Sequence, residues 1–240
     1  MIIDELNIYR TKEELNNGFT EFIKRIVESQ SKTSISLSGG STPKSLFDFW
    51  AETDRGINWD KISFFWGDER CVAPDDEMSN YGMTKKHLFD HIAIPKENIH
   101  RVKGENESQV EVERYGDLLE RYLPKEDETP VFDIMILGLG DDGHTLSIFP
   151  YEIEKWNAPS NCIIAKHPDT KMERVSLTGK VANKAKHVVF LVTGSNKAGK
   201  IWEIIRNRSS FYNKYPAARV QPESGLIHWF MDEDAASQLA

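Results

Sequence analysis

The sequence has little cysteine. Only Cys71 and Cys162 occur among 240 residues, far apart and in no C-x-x-C pair, which argues against a structural zinc site. Two thiols in a chain of this size are typical of a reducing compartment, where disulfides are rare. We therefore expect both to be packed or surface thiols, and we expect no bound metal.

Positive charge and long apolar runs are also scarce. Lysine and arginine number 30 against 38 aspartates and glutamates, a formal net charge of −8. This balance argues against a surface for nucleic acid or an anionic membrane, although it leaves room for a local basic pocket. No apolar run is long enough to span a bilayer, and the first residues carry acids where a signal peptide carries bases. The sequence thus predicts a cytoplasmic protein that binds neither nucleic acid nor membrane.

Repeats and low-complexity segments are absent as well, and strand-like runs alternate with helical patterns through most of the chain. The predicted strands are 35–38, 62–66, 131–137, 162–165, 174–177 and 188–192, and the predicted helices lie near 12–30, 43–53, 79–91, 107–123, 195–207 and 232–239. The alternation indicates an α/β fold with an open, largely parallel, doubly wound sheet and helices on both faces. The polar stretch 125–130 is interpreted as a solvated turn, so residues 1–240 are expected to form a single domain.

The most reactive side chains follow the predicted strand 131–137. Ligands bind at the carboxyl ends of strands in such sheets, and there the segment 138–145 combines three glycines with Asp142 and His144. The glycines allow a sharp turn and a close approach of ligand to backbone. An imidazole can take a proton from water near neutral pH. Because no metal-ligand spacing surrounds His144 and no G-x-S-x-G elbow exists, water is the expected nucleophile.

A second strand end, 38–43, has the features of an anion site. Ser41 or Thr42 can cap a helix, and Pro43 suits its first position. Gly39 and Gly40 expose backbone N–H groups beside that helix terminus, which favours a phosphate. The alternative is a capped turn with no ligand.

A third strand end carries the charged run Asp68-Glu69-Arg70. Asp68 could act as a base or orient one, and Arg70 could hold a phosphate or stabilise a developing oxyanion. The alternative is an ordinary surface charge cluster.

Two nucleotide motifs match only in part. The G-x-G-x-x-G at 138–143 lacks the acid expected about twenty residues later, and His144 occupies the helix opening where a pyrophosphate needs bare backbone. The G-x-x-x-x-G-K at 194–200 is followed by Ile201, which has no hydroxyl to hold magnesium. Neither a dinucleotide nor a P-loop nucleotide is therefore expected. Lys197 could still point at a phosphate from its strand end, or could be a solvated lysine.

Taken together, these segments resemble the 6-phosphogluconolactonase family, within the wider group that also contains glucosamine-6-phosphate deaminase. The matching blocks span nearly the whole chain in order: SLSGGSTP (36–43), FWGDER (65–70), SNYGM (79–83), GLGDDGHTLSIFP (138–150), RVSLT (174–178), VTGSNKAGK (192–200), YPAARVQP (215–222) and HWFMDEDAA (228–236). Phe149 stands before Pro150 where the deaminase branch has a glutamate, and GDERCVAPDD (67–76) also has the lactonase form. Leu146 and Ile148 depart from the usual lactonase residues only by hydrophobic exchanges.

The resemblance implies hydrolysis of 6-phospho-D-glucono-1,5-lactone to 6-phospho-D-gluconate, a step of the oxidative pentose phosphate pathway, without metal or organic cofactor. It implies that His144 activates a water against C1, and that Asp68 and Asp142 orient or support the imidazole. It also implies that Arg70 or nearby backbone N–H groups stabilise the oxyanion. The implied phosphate-binding residues are Gly39, Gly40, Ser41, Thr42, Arg174 and Lys197. The partner is a small phosphosugar lactone, and the expected state is a monomer or small homo-oligomer. The alternatives are a glucosamine-6-phosphate deaminase/isomerase and a non-catalytic phosphosugar-binding module.

Overall fold

A computed structural model describes residues 2–239. The strands are β1 (Ile3–Tyr9), β2 (Thr33–Leu37), β3 (Ile62–Trp66), β4 (Asp68–Arg70), β5 (Lys125–Glu126), β6 (Thr129–Pro130), β7 (Ile134–Leu137), β8 (Cys162–Lys166), β9 (Glu173–Leu177), β10 (His187–Val192) and β11 (Leu226–Asp232). The α-helices are α1 (Lys12–Ser29), α2 (Ser41–Glu52), α3 (Asn80–Thr84), α4 (Ser108–Tyr122), α5 (Gly179–Lys184), α6 (Ala198–Phe211) and α7 (Glu233–Ala236).

Six strands form one parallel sheet in the order β1-β11-β10-β7-β2-β3. Its inner strands β2 and β7 are wholly buried, and the continuous apolar run of β7 is typical of such a strand. The predicted α/β fold with a largely parallel sheet is confirmed.

Helices cover both faces of this sheet. Phe230 of β11 packs against Phe19 of α1, with ring centroids 5.0 Å apart. The next residue back, Trp229, must face the other way because side chains alternate along a strand. On that face its indole N–H donates to Asp4, which also accepts from Arg208 of α6. The amphipathic helices α1 and α6 therefore bury their apolar sides on opposite faces.

A smaller antiparallel sheet, β4-β9-β8, lies beside the main one. The predicted strands 162–165 and 174–177 belong to this sheet and not to the parallel one. Its register sets Arg70 opposite Arg174 and Asp68 opposite Ser176. The side sheet thus brings residues about a hundred positions apart to one place.

Several element predictions needed revision. The strands β1, β4, β5, β6 and β11 are not among the predicted ones, and the strand predicted at 131–137 begins only at Ile134. The helix predicted at 79–91 is α3 followed by a π-helical turn, Lys85–Phe89. The predicted C-terminal helix, 232–239, is the single turn of α7. Across residues 2–239, no helix combines the length and the apolar character that crossing a bilayer requires.

The sheet order places the functional segments together. From β2 the chain passes to β3 on one side, and β7 later joins on the other side, so the winding direction reverses between β2 and β7. Crevices at such reversals are where open α/β sheets bind ligands. The loops after β2, β3, β7 and β10 all leave the sheet at this carboxyl edge.

Candidate active site

Two cavities of about 230 and 240 Å³ open at this edge of the sheet. They share Gly39, Gly40, Gly138, Leu139 and Lys197, so they are two parts of one cleft. The first part is also lined by Ser38, Asp68, Arg70, Asn80, Gly140, His144, Leu146 and Arg174. The second part adds residues of the first turn of α2, among them Ser41 and Thr42. The cleft thus brings together all the predicted site residues except Asp142, which contacts His144 directly.

His144 is held by its own loop. Its Nδ1 lies 2.6 Å from Oδ1 of Asp142, which also accepts the backbone N–H of His144 at 3.0 Å. An ionised Asp142 can only accept, so Nδ1 carries the ring proton and Nε2 presents its lone pair. Nε2 has no hydrogen-bond partner among residues 2–239, and the side chain is 28% exposed. The ring therefore has the tautomer and the access that a general base needs.

The charge of Asp142 is maintained despite its partial burial. Burial acts to raise the pKa of this carboxyl, but the hydrogen bonds and the positive charge offered by His144 outweigh it and leave the pKa below its usual value. Asp142 is thus suited to stabilise an imidazolium when His144 takes a proton.

Asp68 does not orient the imidazole by contact. Its buried carboxylate accepts a hydrogen bond from the Ser147 hydroxyl and lies 3.9 Å from Arg174. Within the described part of the chain it makes no hydrogen bond to His144. The expected orienting role therefore falls to Asp142, and Asp68 can support the ring only through its charge in the same cleft.

Two arginines line the cleft with part of their hydrogen-bonding capacity unused. The Nε atoms of Arg70 and Arg174 are both buried and unpartnered within residues 2–239. Arg70 donates through Nη1 to the carbonyl of Met78, and Arg174 donates through Nη1 to Ser147 at 3.2 Å. Burial lowers the pKa of Arg174, while Asp68 acts to raise it. Unpartnered buried donors on charged groups favour an anionic ligand.

The glycine turn after β2 opens directly into α2. The helix cap is Gly40, with φ of +107°, and no side chain caps the helix. The expectation that Ser41 or Thr42 caps it is therefore wrong: both lie inside the first turn, and the Thr42 hydroxyl pairs with Thr193 at 2.8 Å. Their backbone N–H groups have no partner among the described residues. Because helix N-termini attract anions, the turn is a preformed cradle.

Lys197 lines both parts of the cleft. Its ammonium pairs with Asp141, which also accepts from Asn196 at 2.8 Å. The hydrogen bond from Lys197 lowers the pKa of Asp141. Asp141 is largely exposed, so Lys197 is held at the cleft by a solvated partner.

Sequence reasoning missed three residues that build the site. Asn80 lines the cleft, Ser147 holds Asp68 and Arg174, and Glu69 is buried behind them. Asn80 lies in the SNYGM block, which was the available signal. Within residues 2–239 no group of three or more His, Cys, Asp or Glu is placed to hold a metal ion.

Comparisons with known proteins cover most of the chain. A family model described as glucosamine-6-phosphate isomerases/6-phosphogluconolactonase matches residues 10–229. The 6-phosphogluconolactonase of Aggregatibacter actinomycetemcomitans is 44% identical over 207 residues, covering 85% of this chain and 87% of that protein.

Two solved structures superpose on nearly the whole length of this chain. The crystal structure of devB protein superposes with a TM-score of 0.94 at 39% identity, covering 99% of this chain and 100% of that one. The structure of the 6-phosphogluconolactonase from Trypanosoma brucei superposes with a TM-score of 0.89 at 28% identity, covering 100% of both chains. The protein is therefore a member of the glucosamine-6-phosphate isomerase/6-phosphogluconolactonase family.

Proposed function

We propose that the protein hydrolyses 6-phospho-D-glucono-1,5-lactone to 6-phospho-D-gluconate. The observation that carries the proposal is the shared cleft: an imidazole with a free Nε2 lines one part, and a helix N-terminus with free N–H groups lines the other. A general base and an anion cradle side by side suit a substrate with a reactive carbonyl at one end and a phosphate at the other. The names of the similar proteins from two organisms support the same substrate.

In the proposed reaction His144 is the general base. Nε2 takes a proton from a water whose oxygen attacks C1, and the carbonyl electrons move onto the carbonyl oxygen. As the tetrahedral intermediate collapses, the bond between C1 and the ring oxygen breaks, and the imidazolium returns its proton to that oxygen. Asp142 stabilises the imidazolium between the two steps. General base assistance of this kind contributes about 10²–10⁴ in rate.

The charged walls of the cleft have separate tasks in this proposal. The Arg70 guanidinium stabilises the oxyanion, since Arg70 lines the same part of the cleft as His144. The free N–H groups of Ser41 and Thr42, together with Gly39, Gly40, Lys197 and Arg174, bind the phosphate. The phosphate supplies orientation, because anchoring one end of the substrate fixes its carbonyl near His144.

The test is acid release from freshly prepared lactone with the wild type, His144→Ala and Lys197→Ala. We expect the His144 variant to lose about 10²–10⁴ in kcat with its fold intact. We expect the Lys197 variant mainly to raise KM, since it loses only a charged contact to the phosphate. A wild type that leaves the spontaneous opening rate unchanged would refute the proposal. Release of ammonia from glucosamine 6-phosphate would instead indicate a deaminase.

A further inference from the structure

Glu69 is a buried carboxylate to which the proposed mechanism gives no task. Its side chain is 2% exposed, while its neighbours Asp68 and Arg70 line the cleft. The Glu69 oxygens accept the backbone N–H of Asn80 at 2.7 Å and that of Tyr81 at 2.8 Å. They also accept the N–H of Arg70 at 2.8 Å and the hydroxyl of Ser79 at 3.1 Å.

The residues that Glu69 holds reach the cleft. The side-chain amide of Asn80 donates to the carbonyl of Asp68 at 2.9 Å. The Asn80 side chain also packs so tightly on Gly39 that a Cβ there would lie 1.9 Å from Oδ1. Arg70 donates to the carbonyl of Met78 in the same segment. Glu69 therefore joins β4 to the segment 78–82, and the two together form one wall of the cleft.

We propose that Glu69 is a positioning residue, which clasps the segment 78–82 onto β4 and thereby places Asp68, Arg70 and Asn80 around the substrate. This proposal rests on the proposed function, and it assigns to Glu69 no contact with the substrate itself.

The clasp requires an ionised carboxylate. Four donors converge on two oxygens, so a proton on either oxygen would face a donor instead of an acceptor. Burial raises the pKa of Glu69 to about 7, although the N–H groups of Tyr81, Asn80 and Arg70 act to lower it. The other charged or titratable groups that face Glu69 are Asp68 on its own strand, Cys71 beside it and Arg174 on β9. Below about pH 7 the carboxyl therefore becomes neutral, as the side chain is in Glu69→Gln.

The test compares Glu69→Gln with a matched control, Asp133→Asn. Asp133 is also buried and accepts a backbone N–H and a hydroxyl, both from Ser34, as well as Lys186. It precedes β7 at the amino edge of the sheet, opposite the cleft. Both variants keep the size of the side chain and remove its charge. The measurements are kcat/KM for the lactone between about pH 6 and pH 8, and hydrogen exchange of the amides of residues 79–82.

We expect Glu69→Gln to lower kcat/KM by about 10–100-fold at the alkaline end, as a misplaced cleft wall would. The ratio of wild-type to variant kcat/KM should shrink as the pH falls, because the protonated wild-type carboxyl then resembles the neutral amide of the variant. Amides 79–82 should exchange faster in Glu69→Gln, whereas Asp133→Asn should match the wild type in both measurements.

A Glu69→Gln variant with wild-type kcat/KM, or with a loss independent of pH and unchanged exchange at 79–82, would overturn the clasp. Should that variant fail to fold, Glu69→Asp makes the same test: it keeps the charge, so it should recover part of the activity and retain the pH dependence. A wild type without lactone hydrolysis would refute the proposed function. Hydrogen exchange of the amides of residues 79–82 tests the clasp separately.

Discussion

The position of the His144 ring depends on Gly140, against which the ring packs. A Cβ built on Gly140 would lie 2.1 Å from Nδ1 of His144 and 2.7 Å from Oδ1 of Asp142. Only a residue without a side chain lets the hydrogen-bonded pair sit this close to the backbone. The glycine therefore acts on the chemistry through the placement of the imidazole.

Gly140→Ala should displace the imidazole while leaving the fold intact. We expect a loss of about 10²-fold in kcat, because a displacement of about 1 Å at the reacting group costs that much, with a smaller change in KM. Steady-state kinetics with fresh lactone measures the loss, and near-UV circular dichroism checks the fold. A variant with unchanged kcat would show that the imidazole keeps its working position without a glycine at residue 140.

The buried Glu69 carboxyl should make stability fall with rising pH. Its pKa in the folded protein, about 7, is above its ordinary value of 4.5, so the folded state binds the proton more tightly than the unfolded chain. Its contribution to stability is therefore complete below about pH 4.5 and is lost as the pH rises through about 7. Urea unfolding of the wild type and Glu69→Gln between about pH 5 and 8 should give curves that diverge toward alkaline pH, with the wild type falling more steeply. Parallel curves would contradict the raised pKa.

Among the elements, helices α2 and α4 make opposite use of glycine. Gly40 caps α2 with a positive φ and leaves the helix N-terminus open to a ligand. Gly116 instead lies inside α4, where a Cβ would meet nothing within 4 Å. No turn or close contact explains Gly116, so there the cost of glycine in a helix is not offset.

Gly116→Ala should therefore stabilise the protein. An alanine in a helix interior gains about 0.5–1 kcal/mol over glycine, through the smaller entropy of the unfolded chain. Thermal unfolding should show a higher Tm, and kcat/KM should remain that of the wild type because α4 contributes no residue to the cleft. A lower Tm would mean that the added methyl group meets a neighbour after all.

At the scale of the whole molecule, the first and last strands pair with each other at one edge of the parallel sheet. β1 pairs with β11 in parallel from Ile3↔Leu226 to Tyr9↔Asp232. Asp4 stabilises this edge, since its Oδ1 accepts hydrogen bonds from Trp229 at 2.8 Å and from Arg208 at 2.5 Å. Three elements that are distant in sequence therefore depend on one carboxylate.

Asp4→Ala should weaken this edge without harming the site. Leaving buried donors unpaired costs about 1–3 kcal/mol, so we expect a loss of that size in the free energy of unfolding. Because β1 and β11 lie at the opposite side of the sheet from β2 and β3, kcat/KM should not change. Urea unfolding and lactone kinetics test the two parts; an unchanged stability would show that the edge is held by β pairing alone.

The success of the sequence predictions follows the strength of the local signal. The strand 62–66 is predicted with its observed bounds because all its residues except Ser63 are apolar. β4 is three charged residues and β1 mixes acids with apolar residues, so neither has the pattern of a buried strand. The apolar run of β11 does have the pattern of a buried strand and could have been predicted. The cap of α2 was misassigned because a positive φ at Gly40 cannot be read from the serine and threonine that follow it.

The sequence by itself determined which reactive side chains follow the strands 62–66 and 131–137. It also allowed His144 to meet Asp142, because two residues separated by one position in a glycine turn meet through local backbone geometry. Only the tertiary structure decided that Asp68 bonds to Ser147 instead of His144, that Arg70 lies opposite Arg174 and that Glu69 clasps the segment 78–82. These contacts join residues from different strands and loops, and they depend on strand order, register and burial, which arise when the whole chain packs.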